Sequence, residues 1–135
     1  MNLNILRPED IEEEIRVALS EYFNAYCPPL PAVYPLPCVF ISATGGTTSD
    51  TIDTFIVTLS VKAEENGEAY ETMSNVLGAL ETLSQNQVGA LRHVTLNSLA
   101  RWGNDPVRPD LKLCTATVLV TCHRKEITLN TLNGG

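Results

Sequence analysis

The residues best suited to chemistry in this chain are few and widely separated. His93 and His123 are its two histidines, and no Cys-x2-Cys or His-x3-His spacing accompanies them, so the usual pattern of a zinc site is missing. No Gly-x-Ser-x-Gly sequence marks a nucleophilic serine. Asp50 and Asp53 fall beside a predicted hairpin turn, where aspartate is common. We therefore predict a protein without catalysis, metal or cofactor, and Asp50, Asp53 and His93 would be the first residues to substitute if it were an enzyme.

Gly45 and Gly46 form a pattern that resembles a phosphate-binding loop only in part. Such a loop needs Gly-x4-Gly-Lys-Ser/Thr ahead of a helix, whereas this glycine pair precedes a strand. We interpret residues 44–47 as the turn of a β-hairpin. The hairpin tip, with Gly45, Gly46 and Asp50, is a candidate contact with another chain.

Residues 102–111 have the composition of a protein contact. They combine a tryptophan, two prolines, an arginine and two aspartates, and tryptophan and arginine are enriched at the centres of protein interfaces. An ordinary loop with Trp102 folded beneath it is the alternative. The residues assigned here to a subunit or partner interface are Trp102, Asn104, Asp105, Arg108 and Asp110. We expect Trp102→Ala or Arg108→Glu to leave the fold intact and to weaken assembly.

The composition is that of one acidic globular domain. The chain has 135 residues, and its sixteen acidic and nine basic residues give a net charge of −7. Scattered basic residues exclude a specific grip on nucleic acid, which needs clustered Lys and Arg, although an acidic wall could repel passing DNA. No apolar run reaches the roughly 20 residues of a membrane span. The N-terminus lacks a signal-peptide pattern, so we expect the chain to stay in the cytoplasm where it is made.

The cysteines at positions 27, 38, 114 and 122 are predicted to be reduced. An even number permits disulfides, but no secretory signal supports them. Cys114 and Cys122 share one face of a predicted strand eight residues apart, a separation of roughly 26 Å. They cannot bond to each other, and we expect mostly buried thiols.

Two amphipathic helices and four strands are predicted from the apolar periodicity. The helices cover residues 8–26 and 66–83, each with acidic residues near its N-terminus, and a stiff proline-rich crossover follows the first at residues 27–37. Alternating patterns predict strands at 38–43, 51–63, 93–102 and 112–123. The thirteen residues of the second strand extend about 43 Å, whereas a compact domain of this size is roughly 35–40 Å across.

The predicted fold class is α+β. A mainly antiparallel four-stranded sheet has two helices packed on one face, in the order α-β-β-α-β-β. Residues 1–127 form a single domain, and residues 128–135 form a flexible C-terminal tail.

The layout resembles the tail-terminator, or tail-completion, family of long-tailed bacteriophages over roughly residues 8–126. The resemblance lies in the acidic first helix (EDIEEEIRVALSEYF), the proline-rich crossover, the hairpin, the helix after NGEAY and the final WGNDPVRPDLKLCTATVLVTCHR. It implies a structural virion protein that forms a ring, usually a hexamer, capping the tail tube and joining it to the head-side connector. DNA would only pass through the ring, with no specific binding and no membrane contact. The four cysteines and the five-proline crossover depart from the family pattern.

A second hypothesis, from another class, stays open. The chain would be a small non-catalytic adaptor that binds a protein partner along a sheet edge. Recovery of one partner that is not a virion protein would favour it over the ring.

Overall fold

The computed structural model describes residues 1–132, and for residues 99–102 it describes the backbone alone. The described chain is α+β, as predicted. Its elements are β1 (Leu3–Arg7), α1 (Ile11–Leu19), β2 (Ala25–Tyr26), β3 (Cys38–Ser49), β4 (Ile52–Ala63), α2 (Asn66–Gln85), β5 (Leu91–Asn104), β6 (Lys112–His123) and β7 (Lys125–Leu129).

Within the described residues, five strands form the main sheet in the order β2-β3-β4-β6-β5, and β1 and β7 form a separate two-stranded sheet. The main sheet is antiparallel except for the short parallel pair β2–β3. The mainly antiparallel sheet is confirmed, but the four strands and the order α-β-β-α-β-β were wrong. Strand β2 has two residues and lies within the predicted first helix, and β1 and β7 are too short to show a clear alternation.

Both helices share one core with the main sheet. Alternate residues of β4 and β6, such as Leu59 and Val118, point into this core and are at most 1% exposed. The helices contribute their predicted apolar stripes, including Ile15 from α1 and Leu80 from α2. Burial of these stripes supplies the main driving force for packing the two layers.

Helix α1 has nine residues instead of the predicted 8–26. Asp10 precedes it as the N-cap, and its side chain accepts a hydrogen bond from the backbone N–H of Glu13 at 3.4 Å. Arg16 pairs with Glu13, three residues earlier, whose Oε2 accepts a hydrogen bond from Arg16 Nε at 2.8 Å. Glu12 is engaged elsewhere, as described below.

The four cysteines are free, and three of them are buried, in agreement with the prediction of reduced thiols. Burial raises the pKa of Cys38 to about 11 despite the opposing charge of Lys62, and burial raises the pKa of Cys122 to about 11. Because the thiolate is the reactive form, these two side chains behave as small apolar groups of the core.

The glycine pair forms a bulge inside β3 and not the hairpin turn. The β3–β4 register shifts between Ala43 and Gly46, and Gly45 has a φ of +119°. The turn lies at Asp50-Thr51, where Asp50 has a φ of +55°. The predicted turn at residues 44–47 was wrong because a glycine pair serves a β-bulge as well as it serves a turn.

Gly46→Ala is expected to destabilise the fold. An added Cβ would overlap the carbonyl oxygen of Thr54 and lie 2.9 Å from the Cα of Phe55, so the backbone of β4 would have to move. Such overpacking costs about 1–3 kcal/mol, which urea unfolding would measure. Gly103→Ala, where an added Cβ meets nothing within 4 Å, is the control, and equal losses in both variants would contradict the argument.

The separate pair of β1 and β7 is named here the terminal ribbon. Its antiparallel register joins Leu3 to Leu129, Asn4 to Thr128, Ile5 to Ile127, Leu6 to Glu126 and Arg7 to Lys125. The predicted flexible tail, residues 128–135, therefore overlaps a paired strand at its first two positions. Residues 133–135 lie outside the described residues, and flexibility beyond β7 stays a prediction.

Candidate protein-interaction site

The predicted contact loop connects β5 to β6, and residues 105–111 are named here the late loop. Asn104 just before it, and Arg108 and Asp110 within it, are exposed. Asp105 is 1% exposed, so its side chain acts inside the subunit and is not offered to another chain. The side chain of Trp102 lies outside the described part of the chain.

Asp105 closes the late loop on itself. Its Oδ1 accepts hydrogen bonds from the backbone N–H groups of Val107 at 2.9 Å and Arg108 at 3.4 Å. The backbone N–H of Asp105 donates to the carbonyl of Leu111 at 3.0 Å, and that of Leu111 donates to the carbonyl of Arg108 at 2.9 Å. With Leu111 buried, both ends of the loop are held against the body.

Lys62 of β4 compensates the buried carboxylate of Asp105. Its Nζ lies 2.7 Å from Oδ2; Oδ2 lacks a hydrogen bond of good geometry, so the attraction is chiefly ionic. The same Nζ lies 4.8 Å from the ring centre of Phe40 and 5.5 Å from that of Tyr34, within cation–π range. These four residues, named the lysine cluster, tie the proline-rich crossover, β3, β4 and the late loop together.

The lysine cluster makes the ion pair depend on pH. Burial by itself would raise the pKa of Asp105, but Lys62 and the amides of Val107 and Arg108 together lower this pKa. Burial would lower the pKa of Lys62, yet Asp105 raises it overall. The ion pair therefore stabilises the fold at pH values above the usual carboxyl pKa. This stabilisation is lost in acid, as the pH falls through the lowered pKa of Asp105, and in base, as the pH rises through the raised pKa of Lys62.

On the exposed side of the late loop, a few side chains are presented to solvent. Val107 is 85% exposed, and Arg108 forms a surface ion pair with Asp110, Nη2 to Oδ2, at 3.2 Å. Exposed pairs of this kind contribute less than about 1 kcal/mol. The loop thus combines a fixed backbone with an apolar and charged surface, which suits a contact with another protein.

The opposite end of the main sheet is fixed by Asp53 and Arg124. Arg124 Nε lies 3.2 Å and 3.1 Å from the two oxygens of Asp53, and its Nη2 donates to Thr48 Oγ1 at 2.9 Å. Its backbone N–H donates to the carbonyl of Thr51 at 3.1 Å. Asp53 is buried, which would raise its pKa, but Arg124 and Thr48 lower this pKa overall.

The predicted interface residues fall at two separate ends of the molecule. Gly45, Gly46 and Asp50 belong to the hairpin end with Arg124, whereas the late loop lies at the far end of β6. Strands β4 and β6 pair over twelve residues, which span about 40 Å. One partner surface that touches both groups on the same subunit would have to be correspondingly long.

The residues considered for catalysis do not meet in one site. Asp53 pairs with Cys122 in the sheet and His93 with Thr121; because these are consecutive positions on β6, Asp53 and His93 face opposite sides of the sheet. Asp50 lies in the hairpin turn. Among the described residues, no group of three or more His, Cys, Asp or Glu side chains could hold a metal ion.

On the face of the main sheet opposite the helices, the lysine cluster occupies one end. Apart from Lys62, β4 and β6 place no charged side chain there. Its central residues, mostly half-buried and rich in hydroxyl groups, are Thr54, Ile56, Thr58, Ser60, Thr115, Thr117, Leu119 and Thr121. This surface is nearly neutral and can be hydrated through its hydroxyl groups.

The acidic first turn of α1 does more than match the helix dipole. Glu12 Oε2 accepts a hydrogen bond from the backbone N–H of Ala43 in β3 at 2.8 Å. Glu14 Oε2 accepts one from Ala90, just before β5, at 3.2 Å. Two carboxylates of this turn therefore bind backbone amides near the two outer strands of the sheet.

Sequence reasoning missed Lys62, Tyr34, Phe40 and Arg124 as site residues. Lys62 lies on the face of β4 that points away from the helices, where a lysine is ordinary. One signal was available, since this lysine is the only charge among the threonines and serines on that side of β4. Its partner, Asp105, lies far away in sequence, and no local pattern connects the two.

No family model matches the chain, and no curated protein matches it. In the part of the chain that the structure describes, neither helix combines the length and the apolar composition needed to cross a membrane.

Proposed function

We propose that the chain is a non-catalytic structural protein of a long-tailed phage, forming a ring of identical subunits that caps the tail tube and joins it to the head-side connector. One observation carries the proposal: among the described residues, the main sheet has two outer strands whose outer edges pair with no other strand over most of their length. Strand β5 is one edge of the sheet, and β3 is the other beyond its short pairing with β2. Open edges are usually covered in proteins that stay monomeric.

The directions of these edges favour a head-to-tail contact. Strands β3, β4, β6 and β5 alternate in direction, so the two edges run in opposite senses. Around a rotation axis all subunits share one orientation, and β5 of one copy would meet β3 of the next as an antiparallel pair. Contacts between two different surfaces of one chain generate rings when the rotation closes.

The charge distribution supports a passage for DNA rather than a binding site for it. Residues 64–87, which include α2, contain five glutamates and no lysine or arginine. An acidic surface repels the phosphate backbone. The resemblance to tail-terminator proteins implies the virion as the location and the tail tube and head-side connector as partners.

The adaptor function remains the second candidate. Strand β5 is a fourteen-residue edge, and an extended peptide from another protein can add to such an edge. A pull-down that recovers a single partner absent from the virion would favour the adaptor over the ring.

Two measurements test the ring: the mass of the purified chain in solution and its presence in virions. We expect sedimentation and electron microscopy of the purified chain to reveal a closed oligomer, and mass spectrometry to detect the chain in purified virions of the phage that encodes it. A chain that remains monomeric at high concentration and is absent from the particles would contradict the proposal. Detection of the chain in virions is the more decisive measurement, because a chain that is monomeric in solution could still form a ring on a finished tail tube.

Arg108→Glu is expected to weaken assembly without unfolding the subunit. The substitution removes an exposed ion pair and places three acidic side chains near one another on the late loop, so the free energy of unfolding should change by less than about 1 kcal/mol. Incorporation into virions, measured by complementation, should fall. Arg16→Glu, which breaks the surface ion pair with Glu13 on α1, is the matched charge reversal, and equal incorporation of both variants would contradict a role for the late loop in the interface.

A further inference from the structure

The first half of the outer edge of β3 is occupied by hydrogen bonds from the segment that follows α1. The backbone N–H of Val39 donates to the carbonyl of Asn24 at 2.9 Å, and the carbonyl of Pro37 accepts from the side chain of Asn24 at 3.1 Å. The two residues of β2 continue this cover as far as Phe40. Asn24 and β2 therefore close the beginning of this edge to any other strand.

The amide of Ala43, further along the same edge, is bound by a glutamate. In a β-strand, the N–H groups of alternate residues point to the same side. Val39 directs its N–H outward, towards Asn24, and the register between β3 and β4 is continuous from residue 38 to residue 43. The N–H of Ala43 therefore also points outward. There Glu12 Oε2 accepts its hydrogen bond at 2.8 Å.

The contact between Glu12 and Ala43 obstructs strand addition at this position. A strand that extended the sheet would have to bring a carbonyl oxygen to the N–H of Ala43. The carboxylate of Glu12 already fills that place, and its negative charge repels an approaching carbonyl oxygen. Its position is fixed because Ile11 and Ile15, on either side of it along α1, are buried in the core. Covering elements and charged side chains are common means of protecting a sheet edge.

The outer edge of β3 changes at the bulge between Ala43 and Gly46. Residues 46–49 pair with β4 on the inner side, and they are exposed. In the described chain, no strand pairs with these four residues on the outer side. The edge is thus divided into a closed part before the bulge and an open part after it.

We propose that Glu12 guards the outer edge of β3 against a strand of a second copy, and that β3 accepts such a strand only along residues 46–49. The guard goes beyond the proposed ring, because it acts on any strand that approaches this edge. One consequence rests on the proposed function: in the ring, β5 of the neighbouring copy would meet the hairpin end of β3 and not its beginning.

Amide hydrogen exchange in the full chain tests the guard. In dilute solution, Glu12→Ala should accelerate exchange at Ala43 by about tenfold, the effect of losing one hydrogen bond. At high protein concentration the exchange should slow again, because a strand of a second copy would cover the freed amide. Glu12→Gln keeps an acceptor oxygen and should protect Ala43 as the native glutamate does. Exchange at Ala43 that is unchanged in Glu12→Ala, or independent of concentration, would overturn the proposal.

Self-association, measured by sedimentation, provides the second test. Glu12→Ala should lower the dissociation constant of the self-associated chain by about tenfold, the effect of one additional backbone hydrogen bond between copies. Glu14→Ala is the matched control: it removes a carboxylate–amide contact of the same turn of α1, with Ala90, and leaves the edge of β3 covered. It should associate like the unmodified chain, and equal association of the two variants would reject the guard.

The guard and the ring can fail separately. Stronger association of Glu12→Ala than of Glu14→Ala, in a chain that is absent from virions, would support the guard and reject the phage function. A chain that forms a ring in virions, with no difference between these two variants, would support the phage function and reject the guard.

Discussion

Replacing Lys62 with methionine is expected to lower the free energy of unfolding by about 3–5 kcal/mol, the usual cost of leaving a buried charge without its partner. Asp105 would keep its two backbone hydrogen bonds but lose the ammonium 2.7 Å away. Methionine retains the length of the side chain and can still pack against Tyr34 and Phe40. The predicted loss is a large share of the roughly 5–15 kcal/mol that stabilises a typical domain.

Urea unfolding and amide hydrogen exchange would measure this effect. Exchange should accelerate at Val107 and Arg108, because their N–H groups bind the Asp105 carboxylate. The double variant Lys62→Met/Asp105→Asn removes the charge and keeps an acceptor, so it should recover much of the loss. If the single and double variants are equally unstable, the unpaired charge is not the cause.

Arg124→Leu is expected to have an effect of similar size at the other end of the sheet, again about 3–5 kcal/mol. Asp53 is 4% exposed and would lose the guanidinium that spans both of its oxygens. Thr48 would lose a hydrogen-bond donor as well, so the β3–β4 hairpin should loosen near its tip. Arg124→Lys keeps the positive charge but lacks the planar guanidinium that contacts both oxygens of Asp53, so the free energy of unfolding should fall by an intermediate amount.

The pH dependence of the Arg124 variant separates electrostatics from packing. Because Arg124 and Thr48 lower the pKa of Asp53 despite its burial, the ion pair stabilises the native chain above the usual carboxyl pKa. That contribution disappears as the pH falls through the lowered value. The stability difference between native chain and variant, measured by thermal unfolding, should shrink accordingly in acid; a difference that persists unchanged would indicate lost packing instead.

The regular parts of the fold could be predicted because burial repeats along them. In β4 and β6 every second residue enters the core, and in α2 the buried residues recur at helical spacing, so hydrophobic periodicity marks them clearly. The end of α1 was misplaced because apolar periodicity continues to Tyr22, although that side chain is 64% exposed. The terminal ribbon was missed because each of its strands has five residues and each requires the distant other strand.

The contacts that hold the late loop could not be predicted from the sequence, and its role as an interface stays a prediction. Composition directed attention to the late loop, because arginine, aspartate and proline are concentrated there. The loop is held by Lys62 on β4, which also contacts the rings of Tyr34 in the crossover and Phe40 in β3. These residues are far from the loop in sequence, so no local sequence pattern predicts the contacts. Asp105 was consequently assigned to the surface, although it is the residue that fixes the loop from inside.

The hydrogen bonds of Glu12 and Glu14 have a further consequence for the geometry of an assembly. One turn of α1 is connected through Glu12 to β3 and through Glu14 to the chain entering β5, so a single rigid element spans the subunit from one outer strand towards the other. The two hydrogen bonds therefore restrain the position of α1 relative to both β3 and the start of β5. In the proposed ring, β3 and β5 carry the two contacts of each subunit, so one turn of α1 would couple these two contacts through two carboxylates.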